Sequence, residues 1–219
     1  MASAARRANP VDYVNLNNLS SEVMYESGKK PKGKFFPVDR LISRKQIDHT
    51  WHYLVKWSGW PLPASSWEPY DHLNPALLRS YENPSKPDQG RIEQASRSFY
   101  DAIARALKAK SATPVDAQID LDLQRWLWKG KGVQSEHLGY KLYEKHEFCN
   151  LNLQETWWYY LDSNGEGRAI NFPIKIKPLL LWSPKRYIVQ NGELIQAKRM
   201  PIEKAKIHFS RRACSAETL

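Results

Sequence analysis

The chain has 219 residues, 42% of them hydrophobic and 26% charged, with a formal net charge of +10. That length allows one ordinary domain or two small ones, with two expected, and the composition supports packed cores and excludes a chain disordered throughout. The positive balance favours acidic partners such as nucleic acid or nucleosomes, while only two cysteines, Cys149 and Cys214, exclude a disulfide framework or a Cys-rich zinc site.

No apolar signal region follows Met1, and no stretch approaches the roughly 20 apolar residues of a membrane span, so a soluble intracellular protein without a membrane role is expected. Residues 1–34 are polar, rich in Asn, Ser and Lys, and read as a flexible basic arm. Its Lys29, Lys30, Lys32 and Lys34 are candidate contacts to DNA or RNA, or a nuclear-import signal.

From Phe35 onward, apolar and polar positions alternate between turn residues, which predicts three short half-buried strands at 36–43, 51–57 and around 66–68. Trp51, Tyr53, Val55 and Trp57 fall on one side of the second strand, and Tyr53 with Trp67 reads as a core pair. Gly59, Pro61 and Pro63 enforce a turn between the second and third strands. Asn74 followed by Pro75 reads as a helix cap with proline in the first turn, and Leu77, Leu78 and Tyr81 recur at helical spacing.

A linker at 84–90 leads to a helix over 91–110, whose Ile92, Ala95, Phe99, Ile103 and Leu107 form one apolar stripe. The region 119–212 reads as a second, mainly β domain. Within it, 157–161 is a predicted strand, 162–167 a turn, and Asn191-Gly192 joins two short strands in a hairpin. Trp126, Trp128, Trp157, Trp158 and Tyr159 read as core in preference to a base-stacking surface. The basic end, with Lys198, Arg199, Lys204, Lys206, Arg211 and Arg212 between Ile202, Ile207 and Phe209, reads as a solvated strand face before a nucleic-acid surface. His137, His146 and Cys149 match no zinc spacing, and a GxSxG elbow, a P-loop and an HExxH motif are absent; no metal, cofactor, catalytic residue or enzymatic activity is expected.

The run from Phe36 to Ile42, the segment Trp51-His52-Tyr53-Leu54-Val55-Lys56-Trp57-Ser58-Gly59-Trp60-Pro61, and then Ser66-Trp67-Glu68-Pro69 with Leu73-Asn74 together resemble the chromodomain family over about residues 35–84. The resemblance implies a three-stranded antiparallel sheet with a C-terminal helix; with the helix and the mainly β second domain read above, which resemble no recognised family, the chain is expected to be α+β. The resemblance also implies a reader of methylated lysine on a histone tail, with Phe36, Trp57 and Trp60 as an aromatic cage. A trimethylammonium donates no hydrogen bond, so its recognition needs aromatic faces, each contributing about 0.5 to 2 kcal/mol.

By the same resemblance the histone peptide adds a strand, in a groove lined by Phe35, Val38, Glu68, Asp71 and His72. The implied ligand is the Ala-Arg-Lys-Ser stretch of the H3 tail, with its lysine di- or trimethylated, and the implied setting is nuclear chromatin and gene silencing. Three departures stand out. Ala64 occupies a turn position that is acidic in many members, His72 replaces a groove asparagine, and the lysine-rich arm replaces acidic residues before the first strand. The alternative use of such a domain is nucleic-acid binding or protein dimerisation, and the C-terminal domain is a candidate site for a protein partner.

Overall fold

The computed structural model describes residues 36–109 and 113–219; the arm with Lys29, Lys30, Lys32 and Lys34, together with Phe35, lies outside the described residues. Strands β1 (Val38–Ile47) and β2 (Thr50–Trp57) pair antiparallel through a two-residue turn, and β3 (Ser66–Pro69) takes the other edge of β2. Helix α1 (Pro75–Glu82) starts where the Asn74 side chain accepts a 2.7 Å hydrogen bond from the Leu77 amide, and Pro75 loses nothing there by lacking an N–H. Its Leu77, Leu78 and Tyr81 close over Val38, Leu41, Tyr53 and Val55.

Helix α2 (Gln89–Lys108) is capped by Asp88, and its expected stripe, Ile92, Ala95, Phe99, Ile103 and Leu107, is buried throughout. There follow β4 (Val115–Ala117), a short helix α3 (Leu121–Leu127), β5 (Val133–Gln134), β6 (Lys141–Tyr143), β7 (Tyr159–Leu161) and β8 (Glu166–Trp182). Strands β9 (Tyr187–Gln190), β10 (Glu193–Gln196) and β11 (Pro201–Ser215) complete the chain. The large sheet runs β4-β11-β8-β6-β5, with β7 also pairing β8, so the whole is α+β with a mainly β second part.

Between α2 and that sheet lies the larger core, where Phe99, Phe148 and Trp157 meet with ring centroids 5.1 to 5.7 Å apart. The strand expected at 157–161 is shorter, because Trp157 turns back to bond the Gln154 carbonyl and buries its ring before Tyr159 begins the ladder. The β9–β10 hairpin forms as its sequence requires: Asn191 and Gly192 take φ of 53° and 82°, the left-handed pair that matches strand twist in a two-residue turn.

The small sheet is not half-buried. Ile42 and Leu54 point away from α1 and pack, with Trp67 and Leu62, against Leu121, Leu180 and Trp182 of the second part. The expected Tyr53–Trp67 core pair is therefore corrected: the two rings lie on opposite faces, Tyr53 against Tyr81 and Trp67 beside Leu54. Trp51, grouped on one side of the strand with the buried Tyr53 and Val55, is exposed and stacks under Arg44 at 4.8 Å.

Charges fasten the same seam. Arg40 of β1 donates a two-pronged pair of hydrogen bonds to Glu203 of β11 at 2.6 and 2.9 Å, and another to Asp122 at 2.9 Å. Arg91 of α2 reaches Asp120 and Asp122, at 2.7 and 2.9 Å. Burial works against the Arg40 charge, but Glu203, Asp122 and Asp120 outweigh it and hold its pKa above the usual arginine value. Arg125 of α3 donates to the carbonyls of Leu41 and Ile42, at 2.7 and 3.0 Å, and stacks 3.9 Å from the Tyr81 ring.

Candidate functional site

The turn after β2 concentrates the exposed aromatic surface of the small sheet. Gly59 has φ of 74°, a left-handed value that makes a side chain there costly, by roughly 1 to 2 kcal/mol. This tight turn brings Trp57 and Trp60 to the same end of the sheet. The Ser58 amide donates to the Pro37 carbonyl at 2.9 Å, which draws the segment before β1 alongside.

Phe36 accordingly sits edge-on to both tryptophans, with centroids 6.3 Å from Trp57 and 6.4 Å from Trp60. Phe36 is 43% exposed and Trp60 53% exposed, while Trp57 is half-buried. Two rings left in water against a third form a corner with apolar walls and electron-rich faces, the kind of surface that attracts a poorly hydrated cation.

Lys56 supports this corner and was not singled out by sequence reasoning. Its ammonium donates to the carbonyls of Trp57 at 2.8 Å and Trp60 at 2.7 Å, clamping the turn that carries both rings, and it lies 3.7 Å from Asp39. Ser66 is a second such residue: it accepts a 2.9 Å hydrogen bond from the Trp57 indole and donates its own proton to Glu68. The orientation of Trp57 is thus tied to the Glu68 carboxylate. On sequence alone, Lys56 reads as a solvent-facing strand lysine and Ser66 as an ordinary strand polar residue.

The groove candidates separate. Glu68 and His72 adjoin, with a carboxylate oxygen 3.5 Å from the imidazole Nδ1, and Asp71 is exposed beside them. Val38 is 3% exposed and its side chain belongs to the core, so at that position the strand presents backbone in place of a side-chain wall. Ala64 sits half-buried in the short turn after Pro61 and contributes no charge to the corner.

In the second part, Trp128 and Trp157 are buried and Trp126 and Trp158 pack on the core, as the sequence reading expected. The basic end divides. Ile207 and Phe209 face the core, whereas Lys204 and Lys206 face outward and reach Asp116 at 3.2 and 3.3 Å. Burial raises the Asp116 pKa, but these two lysines outweigh it and hold the carboxyl below its ordinary value. Arg211 is committed to the carbonyls of Ala106 and Ala109 at the end of α2.

A three-stranded antiparallel sheet closed by a C-terminal helix, with aromatic residues gathered at one end, is the form of a chromodomain, and residues 36–83 match the Chromo (chromatin organisation modifier) domain family. Among known proteins the chain is similar to the histone-lysine N-methyltransferase SUV39H2 of Bos taurus, 31% identical over 94 residues that cover 42% of this chain and 23% of that one. The human protein of the same name is 30% identical over 81 residues, 37% of this chain and 17% of the relative. That of Mus musculus is 32% identical over 96 residues, 42% and 19% respectively. The chain therefore matches less than a quarter of the length of each of these relatives. No solved structure matches it.

Proposed function

We propose that the chain is a chromatin reader that binds a methylated lysine of a histone tail, with Phe36, Trp57 and Trp60 as the cage. The observation that carries this reading is the convergence of two exposed rings and one half-buried ring at a clamped glycine turn within a chromodomain. Single exposed apolar side chains are ordinary, whereas exposed apolar surface gathered in one place marks an interaction site, and here the two exposed rings share one corner. The peptide lies extended between the segment before β1 and the residues after β3, with Glu68, Asp71 and His72 on one side and the backbone of Val38 on the other. Segment 35–84 supplies recognition, while the helix and the mainly β region 119–212 hold it and recruit or tether other factors to nuclear chromatin, in gene silencing.

The ligand class is a di- or trimethylated lysine in an Ala-Arg-Lys-Ser context on histone H3. The test is binding of the purified chain to unmodified, mono-, di- and trimethylated tail peptides, with Trp57→Ala and Trp60→Ala alongside. Micromolar binding, worth about 8 kcal/mol, that grows with methylation and is weakened in both variants establishes the reading. Equal binding of methylated and unmodified peptides overturns it.

A further inference from the structure

The large sheet buries its inner face under α2 and α3, but its outer face is a different surface. Lys175 and Lys177 of β8 and Lys204, Lys206 and His208 of β11 all project there, alternating with the buried Ile174, Ile176, Ala205, Ile207 and Phe209. The register sets one lysine against another, Lys206 directly opposite Lys177, and places His208 directly opposite Lys175. Like charges facing each other across a ladder are destabilising. The one acid that β4, β8 and β11 set against this strip is Asp116 of β4, which answers Lys204 and Lys206 and leaves the β8 pair untouched. Lys175 has no ion pair among the described residues, and Lys177 rests on the Leu138 carbonyl at 3.2 Å.

The strands keep this juxtaposition while their other face is buried, so the outer face presents several cations side by side. Lysines two residues apart on one strand are spaced about 7 Å, and those opposite on the neighbouring strand about 5 Å. A nucleic-acid backbone carries closely spaced phosphates, one per about 3.4 Å of axis on each strand, so a grid of cations at these spacings can lie near more than one of them. We propose that the outer face of the β4-β11-β8 sheet binds the phosphate backbone of a nucleic acid, with Lys175, Lys177, Lys204 and Lys206 as the contacts. The site is separate from the aromatic corner and uses no residue of it, so it stands or falls independently of methyl-lysine binding.

The experiment uses the full chain and fluorescence anisotropy with a labelled 20-base-pair DNA duplex and a labelled 20-nucleotide single-stranded RNA, from 50 to 200 mM salt. The decisive variant is Lys175→Glu with Lys177→Glu, which turns the facing Lys206–Lys177 pair into a favourable one, so its melting temperature is expected to equal or exceed that of the parent. Expected is at least a tenfold loss of affinity at 50 mM salt and a salt slope shallower by about two. The arm variant Lys29→Gln, Lys30→Gln, Lys32→Gln, Lys34→Gln is expected to leave that loss visible. Sensitivity with the duplex, the RNA or both supports the site and says which form it takes. No binding of either probe, unchanged affinity and slope in the Glu variant, or binding of poly-glutamate without binding of either nucleic acid overturns it.

Discussion

At the scale of single residues, Trp60 and Lys56 make opposite tests of the reading. Trp60 is more than half exposed and touches Phe36 edge-on, so Trp60→Ala is expected to change folding stability by less than about 0.5 kcal/mol. If the ring faces a methylammonium, the same change weakens binding of the trimethylated peptide about 2- to 30-fold, the equivalent of 0.5 to 2 kcal/mol. Calorimetry of binding alongside thermal melts checks both halves, and a variant as tight as the parent removes Trp60 from the site. Lys56 is expected to act through position alone. Lys56→Met keeps the apolar stem but deletes the two hydrogen bonds that fix the turn, at a cost of about 1 to 2 kcal/mol in urea unfolding, with weaker peptide binding in consequence. The three rings were named from the resemblance to the chromodomain family, with a local signal only for Trp57 and Trp60, which flank a glycine in a polar turn. Lys56 was not, because its role depends on two carbonyls that point the same way only after the turn has closed.

At the scale of elements, legibility followed the strength of local signals. The Asn191-Gly192 hairpin, the Asn74-Pro75 helix start and the α2 stripe each carry their instruction within a few residues, and all three formed. Helix α3 spans seven residues, two turns at most, which is too short for periodicity to show, and it is fixed by packing against the small sheet and the large core. The two-sided burial of the small sheet was misread as one-sided. The available signal was the contiguous apolar runs Leu41-Ile42 and Tyr53-Leu54-Val55, since a strand with water on one face alternates strictly and a strand covered on both does not. Leu54 is 0% exposed on the face away from α1. Leu54→Ala is therefore expected to cost about 2 to 5 kcal/mol, the cost of a buried core leucine, where a half-buried sheet with that face in water would lose almost nothing. Hydrogen exchange should then rise together in β2 and around Leu121 and Leu180; a rise confined to β2 would show that the seam does not transmit the loss.

At the scale of the whole molecule, the chromodomain is built into its neighbour by charges as well as by area. Glu203, with a side chain 4% exposed, accepts both prongs of Arg40 and also the Leu121 amide at 2.7 Å. Removing one partner of a buried pair leaves the other uncompensated, so Glu203→Ala is expected to cost about 3 kcal/mol or more in urea unfolding even though Asp122 remains beside Arg40. Asp122 supplies the pH dependence of the same seam. Burial alone would raise its pKa, but the hydrogen bond from Arg91 and the charges of Arg40, Arg91 and Arg125 outweigh burial and hold it below the ordinary aspartate value. A carboxyl depressed on folding binds its proton more readily in the unfolded chain. Its contribution is therefore fully present above the unfolded value of about 3.9 and is lost as pH falls through that value towards the folded one. Urea midpoints are thus expected to hold steady between pH 7 and about pH 5 and to drop below it. In Asp122→Asn the midpoint at pH 7 starts lower and the acid-side drop is shallower, because the group that took up the proton is gone. A parallel drop in parent and variant would assign the acid sensitivity to other carboxylates and reduce Asp122 to a neutral hydrogen-bond acceptor in the seam.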